Sequence, residues 1–401
     1  MKRTVYTERA HYMTPNMNFA IAAEICAEYD FAKVQHTLDL LKAAHPLLSS
    51  VISVDKDKNV VYKNDKNMEI PVFVKDNADN WLADYDEITK TGWDLRKDCL
   101  MRVIVYPKGN CTFVVFAVHH LLCDGKALCD FALTFADMYA NSSSCGSYED
   151  RTIASAEELR GNLKLPFFIK YIVNSANKKW SGDKNPITYD KYRDFELSYC
   201  SSHTINKSLS SMSSDKLDEL KSQCREKGVT INDYLIAQMM TDEKNSTVII
   251  GADIRKYYSK YEEGALGNYS SAYSVGITKL SEDVWEVASY VSKAVGKIKS
   301  NPRKELLTLA LYASLDQELL DVAAISACGN HKSEAGLFVG DRLLGLKTPR
   351  NYTITNLGSY ESSTVSNAFF VPPASPSAKR IDGVITVNGV MNTVSAQTRL
   401  S

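Results

Sequence analysis

The chain carries no excess of charge of either sign. Its 401 residues hold 47 Lys and Arg against 48 Asp and Glu, a formal net charge of −1. A protein built around nucleic-acid phosphates needs a basic excess, so that class is excluded beyond a local groove. No stretch approaches ~18 uninterrupted apolar residues, so no membrane span is expected. Lys2 and Arg3 are not followed by an apolar segment, so no secretory signal is expected either. The nine cysteines are scattered, odd in number and never spaced C-x-x-C. They fit reduced thiols in a cytoplasmic protein better than a disulfide framework. Neither G-x-G-x-x-G nor a P-loop is present, which removes the sequence signs of dinucleotide or nucleotide-phosphate binding.

What is present is ordinary globular composition, 44% hydrophobic and 24% charged, in a chain long enough for a large core. At roughly 100–200 residues per domain, two or three units or one large one are expected. Strand-like and helix-like segments alternate. Asn18–Ile25 is strand-like, and Phe31–Ala44 repeats apolar residues at helical spacing until His45-Pro46 stops it. Ser50–Val54 with Val60–Tyr62, and Met101–Tyr106 with Cys111–Val118, read as hairpins about polar turns. Thr112–Val118 is continuously apolar and β-branched, as a strand buried on both faces would be. The next helix carries one stripe of Leu128, Phe131, Ala132, Phe135, Met138 and Tyr139. Leu165–Asn177 reads as an aromatic-rich helix, and Leu165–Trp180 either packs in the ordinary way, the favoured reading, or covers the mouth of a site. The polar stretch 186–195 reads as a linker, Ser198–Leu209 as a strand, and Asp215–Lys227 as a helix. Strands are expected at Val248–Ile254, Ala272–Thr278, and near Asn351–Thr355, Ala368–Val371 and Gly383–Asn388. Two long helical patterns fill Asp283–Ala327. This order predicts layered α/β or α+β architecture, not a doubly wound dinucleotide fold.

The informative stretch is His119-His120-Leu121-Leu122-Cys123-Asp124-Gly125, between the buried strand and the amphipathic helix. Strand-to-helix turns are frequent places for reactive groups held on a rigid scaffold. A histidine there can serve as a general base near neutral pH. The two histidines alternate across the strand, so only one can face a cavity and the other must pack or hydrogen-bond. Asp124 sits where a helix N-cap belongs and needs no further role. Three candidate ligands in one turn without a supporting Cys/His cluster make a poor metal site, and none is expected. From these residues alone, a catalytic base and a packed histidine stand as equal readings.

The stretch fills every position of the HHxxxDG signature of the chloramphenicol acetyltransferase-like superfamily. That superfamily includes condensation domains of peptide synthetases and alcohol and polyketide-associated acyltransferases. Other segments resemble it in order: Ala43-Ala44-His45-Pro46-Leu47-Leu48, Trp93-Asp94-Leu95 with Leu100-Met101-Arg102-Val103, and Gly228-Val229-Thr230-Ile231-Asn232-Asp233. Asp253-Ile254-Arg255, Leu266-Gly267-Asn268 and Thr355-Asn356-Leu357-Gly358 continue the series. The DFGWG motif of the plant branch is absent, so that branch is disfavoured.

The resemblance implies two similar α/β sandwich lobes, a pseudo-dimer with a tunnel between them. The N-terminal lobe would span 1–185 and carry the motif, and the C-terminal lobe 196–401 would supply the arginine strand and a tunnel wall. It implies His120 as general base, with His119, Asp124, Arg255 and Gly125 supporting the site. Asp124 would pair with Arg255 across the lobes, and Gly125 would leave space for pantetheine. Thr355 and Asn356 would be oxyanion or tunnel contacts, although a structural turn serves as well. For Asn232 and Asn268, helix-entry and turn roles are favoured. No acyl-enzyme is implied, so Cys123 need not be a nucleophile.

No permanently bound cofactor is expected; acyl-CoA or a phosphopantetheinyl thioester would be co-substrate. The implied activity is acyl transfer from CoA or a separate acyl- or peptidyl-carrier protein to a small-molecule alcohol or amine. The expected protein is a free-standing cytoplasmic monomer, with a C-terminus shorter than in many relatives. A condensation enzyme joining carrier-bound substrates by an amide, and a non-catalytic module that binds carriers or other proteins, are the alternatives.

Overall fold

The computed structural model describes residues 3–57, 59–161 and 163–400. Two large sheets organise them. The first has five strands in the order Val365–Val371, Asn18–Ile25, Cys111–His119, Met101–Lys108, Val72–Val74. All neighbours are antiparallel except the last pair. The second has six strands in the order Ser270–Gly276, Thr247–Asp253, Asn351–Tyr360, Ala378–Val387, Val390–Leu400, His203–Met212. Its middle three are parallel and its outer pairings antiparallel. A small sheet adds Arg3–Thr4 to the hairpin of Ser50–Val54 and Val60–Asn64. The architecture is mixed α/β in two lobes.

Cys111–His119 holds the centre of the first sheet, and all its residues after Cys111 are buried. One face packs on the helix Gly125–Asn141, where Phe116 meets Phe131 and Phe135 edge-on. The other face packs on the helix Trp81–Lys90, where Trp81 meets Phe113. The continuous apolar run therefore has its physical reason: both faces lie in core.

Sequence halves and sheets do not coincide. The edge strand Val365–Val371 comes from the second half and pairs with Asn18–Ile25, Val371 opposite Ala20. It passes so close to the second sheet that a Cβ on Gly383 would lie 2.5 Å from the Phe370 carbonyl oxygen.

Three expectations need correction. The segment 186–195, read as linker, lies mostly in the helix Tyr189–Ser202. Thr188 caps it by accepting from Lys191 N–H, and Tyr189, Tyr192, Glu196 and Tyr199 form its buried stripe. A helical period was hidden in a polar, tyrosine-rich stretch. That helix also displaces the start of the strand expected at Ser198–Leu209, which begins at His203. The pattern at 283–327 resolves into Val284–Lys299, Pro302–Glu305, Leu307–Ser314 and Gln317–Cys328. Pro302 and the caps Asn301 and Asp316 break it.

Candidate active site

The motif begins at the last residue of a central strand and ends at the first residue of a helix. Asp124 is the N-cap of Gly125–Asn141: its Oδ1 accepts from Ala127 N–H at 2.9 Å. The same oxygen accepts from Arg255 Nη2 at 2.9 Å, and Oδ2 accepts from Tyr269 N–H at 2.7 Å. Asp124 N–H in turn donates to the Gly267 carbonyl at 3.1 Å. One buried carboxylate thus closes a helix end and fastens the 266–269 loop and the 253–255 turn onto the motif. Gly267 has φ +148°, where a Cβ would strike the Tyr269 hydroxyl at 2.7 Å, so the turn requires glycine.

Arg255 is buried with its partner. Its second nitrogen bonds Asp253 at 3.1 Å, and its guanidinium lies over the rings of Tyr261 and Tyr269. Burial works to lower its pKa, but the Asp124 carboxylate outweighs that and raises it, so the guanidinium stays charged.

The two histidines part as the strand alternation requires. His119 is buried beside Trp93, and its Nδ1 faces Leu121 N–H at 3.2 Å. Burial, with repulsion from the neighbouring His120 and Arg102, lowers its pKa to about 3. It is a neutral, structural acceptor. His120 is half-buried, and its backbone N–H donates to the Met17 carbonyl at 2.7 Å. Its Nδ1 lies 3.2 Å from Asn268 Nδ2. His11 stacks on the ring at 4.3 Å between centroids, and Phe19 meets it edge-on at 4.9 Å. Burial lowers the His120 pKa below the ordinary imidazole value, although nearby backbone carbonyls and Asp124 pull the other way. His11 is lowered further, by burial and by the two motif histidines. The imidazoles around the site are therefore neutral near pH 7.

The remaining motif residues are packed. Cys123 is buried and its thiol is pushed well up by burial, with Asp124 adding to the shift, so no thiolate forms there. Gly125 makes a close approach: a Cβ would lie 2.9 Å from Leu357 Cδ2 and 3.2 Å from Phe370 Cζ. The space beside its Cα is filled by protein side chains. Asn356 Oδ1 accepts from Gly358 N–H, and Thr355 packs beside Gly251. Of that strand, Leu357 is the residue that reaches the motif at Gly125. Asn232 lies in the first turn of the helix Ile231–Asp242, which Thr230 and Asp233 close as a capping box.

Three groups at or beside the site escaped sequence reading. Asn268 was read as a turn residue. It does hold its turn, its Oδ1 accepting from Ser270 N–H and Oγ, yet its amide nitrogen faces His120. His11 sits on a four-residue helix with no local motif. Glu8, fully buried at the N-cap of that helix, has neither carboxyl oxygen in a hydrogen bond among the described residues. Burial raises its pKa to about 7, with Asp124 adding to the shift. Arg9 anchors the same short helix by a bidentate pair with Asp321 at 2.7 and 2.5 Å.

Comparison with solved structures bears on the fold. Trichothecene 15-O-acetyltransferase from Fusarium sporotrichioides superposes with a TM-score of 0.66 at 10% identity, over 99% of this chain and 90% of that one. The first condensation domain of the CDA synthetase gives 0.60 at 12% identity, over 99% and 90%. Polyketide synthase associated protein 5 from Mycobacterium tuberculosis gives 0.57 at 11%, over 99% and 94%. No protein-family description matches the chain, and no curated protein matches it in sequence. The chain has the two-lobed fold of the chloramphenicol acetyltransferase-like superfamily, to which condensation domains and these acyltransferases belong.

Asp124→Ala removes one cap and the buried partner of Arg255, leaving the half-exposed Asp253 as its remaining carboxylate. It should lower the unfolding free energy by about 3–5 kcal/mol in urea titration. The double variant Asp124→Ala with Arg255→Met should recover part of that loss.

Proposed function

We propose that the chain is an acyltransferase that moves an acyl group from a CoA or carrier-protein thioester to a hydroxyl or amine acceptor. His120 is the general base. The observation that carries this reading is a neutral, half-buried imidazole at the end of a central strand, with Nδ1 turned to Asn268. Carbonyls of His120 and Cys123 beside the ring favour an N–H on it. A neutral imidazole keeps one ring lone pair that can take a proton.

The neutral imidazole takes the acceptor proton as oxygen or nitrogen attacks the thioester carbonyl. The tetrahedral oxyanion collapses, the C–S bond breaks, and the imidazolium returns the proton to the departing thiolate. Protons and charge balance with no covalent enzyme intermediate, which suits the un-ionised Cys123. His119, Asp124, Arg255 and Gly125 fix the loop, and Thr355 and Asn356 serve as carbonyl-oxygen or tunnel contacts. The donor enters as a co-substrate, and the chain acts as a single catalytic unit.

A thiol-release screen of CoA and carrier-bound donors against alcohols and amines tests the reading. His120→Ala should lower kcat by ~10²–10⁴-fold, and unchanged turnover would remove His120 as base. Where protonation of His120 silences it, kcat/KM should fall as pH drops through the depressed pKa. The acidic limb should therefore lie below pH ~6.5, the free imidazole value, and a limb above that value would contradict a buried, neutral base.

A further inference from the structure

The helix Phe167–Gly182 is built in two unlike halves. Its C-terminal half is anchored: Val173, Ala176 and Trp180 are buried, Asn177 bonds Ser314 and Asp316, and Lys179 pairs with Glu334 at 2.6 Å. Its N-terminal half stands out from the molecule. Phe167 is 88% exposed, Phe168 72% and Tyr171 69%, more than any other large hydrophobic side chain among the described residues. Phe167 and Tyr171 are four residues apart and share one face, with Phe168 beside them. The adjoining segment that supplies Glu334 exposes Leu337 and Phe338 as well.

Charge along this stretch of chain is one-sided, although Lys179 is paired with Glu334. Residues 159–182 contain Arg160, Lys164, Lys170, Lys178 and Lys179 and not one Asp or Glu. All five cations are exposed. The rest of the chain carries 42 Lys and Arg against 48 Asp and Glu, so this is a local concentration of positive charge. Exposed aromatic rings flanked by lysines, on a helix lying against the protein surface, are the physical make-up of an interfacial membrane contact. The rings enter the headgroup boundary and the cations meet anionic lipid.

We propose that this face is a peripheral docking surface for an anionic lipid bilayer. A second copy of the chain is a poorer occupant, because self-pairing would set cations against cations. An acidic protein matches the charge. It does not account for three adjacent rings projecting outward at 69–88% exposure. The proposal is independent of acyl transfer, and its test needs no turnover.

Flotation with vesicles measures it directly. The intact protein should float with phosphatidylcholine vesicles containing about 30% phosphatidylserine, and much less with phosphatidylcholine alone. Binding should weaken several-fold between ~0.1 M and ~0.5 M salt. The triple variant Phe167→Ser, Phe168→Ser, Tyr171→Ser should lose at least ~10-fold in vesicle affinity while keeping its thermal midpoint. Lys164→Glu with Lys170→Glu, which leaves the rings in place, should lose the preference for anionic vesicles. No flotation, or flotation of the triple variant equal to the parent, overturns the proposal. So does a ring-dependent dimer in sedimentation, or ring-dependent binding of an acidic carrier protein without vesicle binding.

Discussion

The site depends on one buried ion pair. Asp124 and Arg255 come from segments 131 residues apart, and each is almost fully removed from water. An isolated charge at either position would be costly, so each requires the other. Because Asp124 also caps a helix and holds Tyr269 N–H, the requirement becomes geometric. The strand end, the helix start and the 266–269 loop can satisfy their polar groups together only in this one arrangement. Asn268 is carried to His120 by that loop and needs no signal of its own. The orientation of the imidazole is a consequence of satisfying a carboxylate one turn away.

A second buried pair extends the constraint to the N-terminus. Arg9 grips Asp321 on the helix Gln317–Cys328, and two residues later His11 covers the His120 ring. The same helix turn buries Glu8, whose carboxyl oxygens have no hydrogen bond among the described residues. The strand Val365–Val371 ties the lobes from the opposite side, through Phe370 against Phe19 and its approach to Gly125. Residues from the first 20 positions, the centre and the last 40 therefore converge on one loop. The site is a property of the whole chain.

Local physics made much of this legible. The double-sided burial of Cys111–His119, the apolar stripe of the following helix and the N-cap at Asp124 each follow from short-range pattern. The strand Asn18–Ile25 and the helix Phe31–Ala44 fall on their expected limits. What pattern could not supply was long-range. Nothing in Val365–Val371 marks it for the first sheet and not the second, because pairing partners leave no local trace. The helix at Tyr189–Ser202 was missed because its buried stripe is made of tyrosines and a glutamate in a polar stretch. His11 and Asn268 were missed because their meaning lies in the ring they approach. The pairing of Asp124 with Arg255 came from the resemblance, and the structure places the two residues 2.9 Å apart.

The central claim is that this scaffold holds His120 neutral and able to accept a proton near pH 7. Nitrogen-15 NMR of the histidine-labelled protein, with His120→Gln to assign its signals, reads that state directly. The account predicts a neutral ring near neutral pH, with a titration midpoint below ~6.5. A midpoint at or above the free value would contradict it.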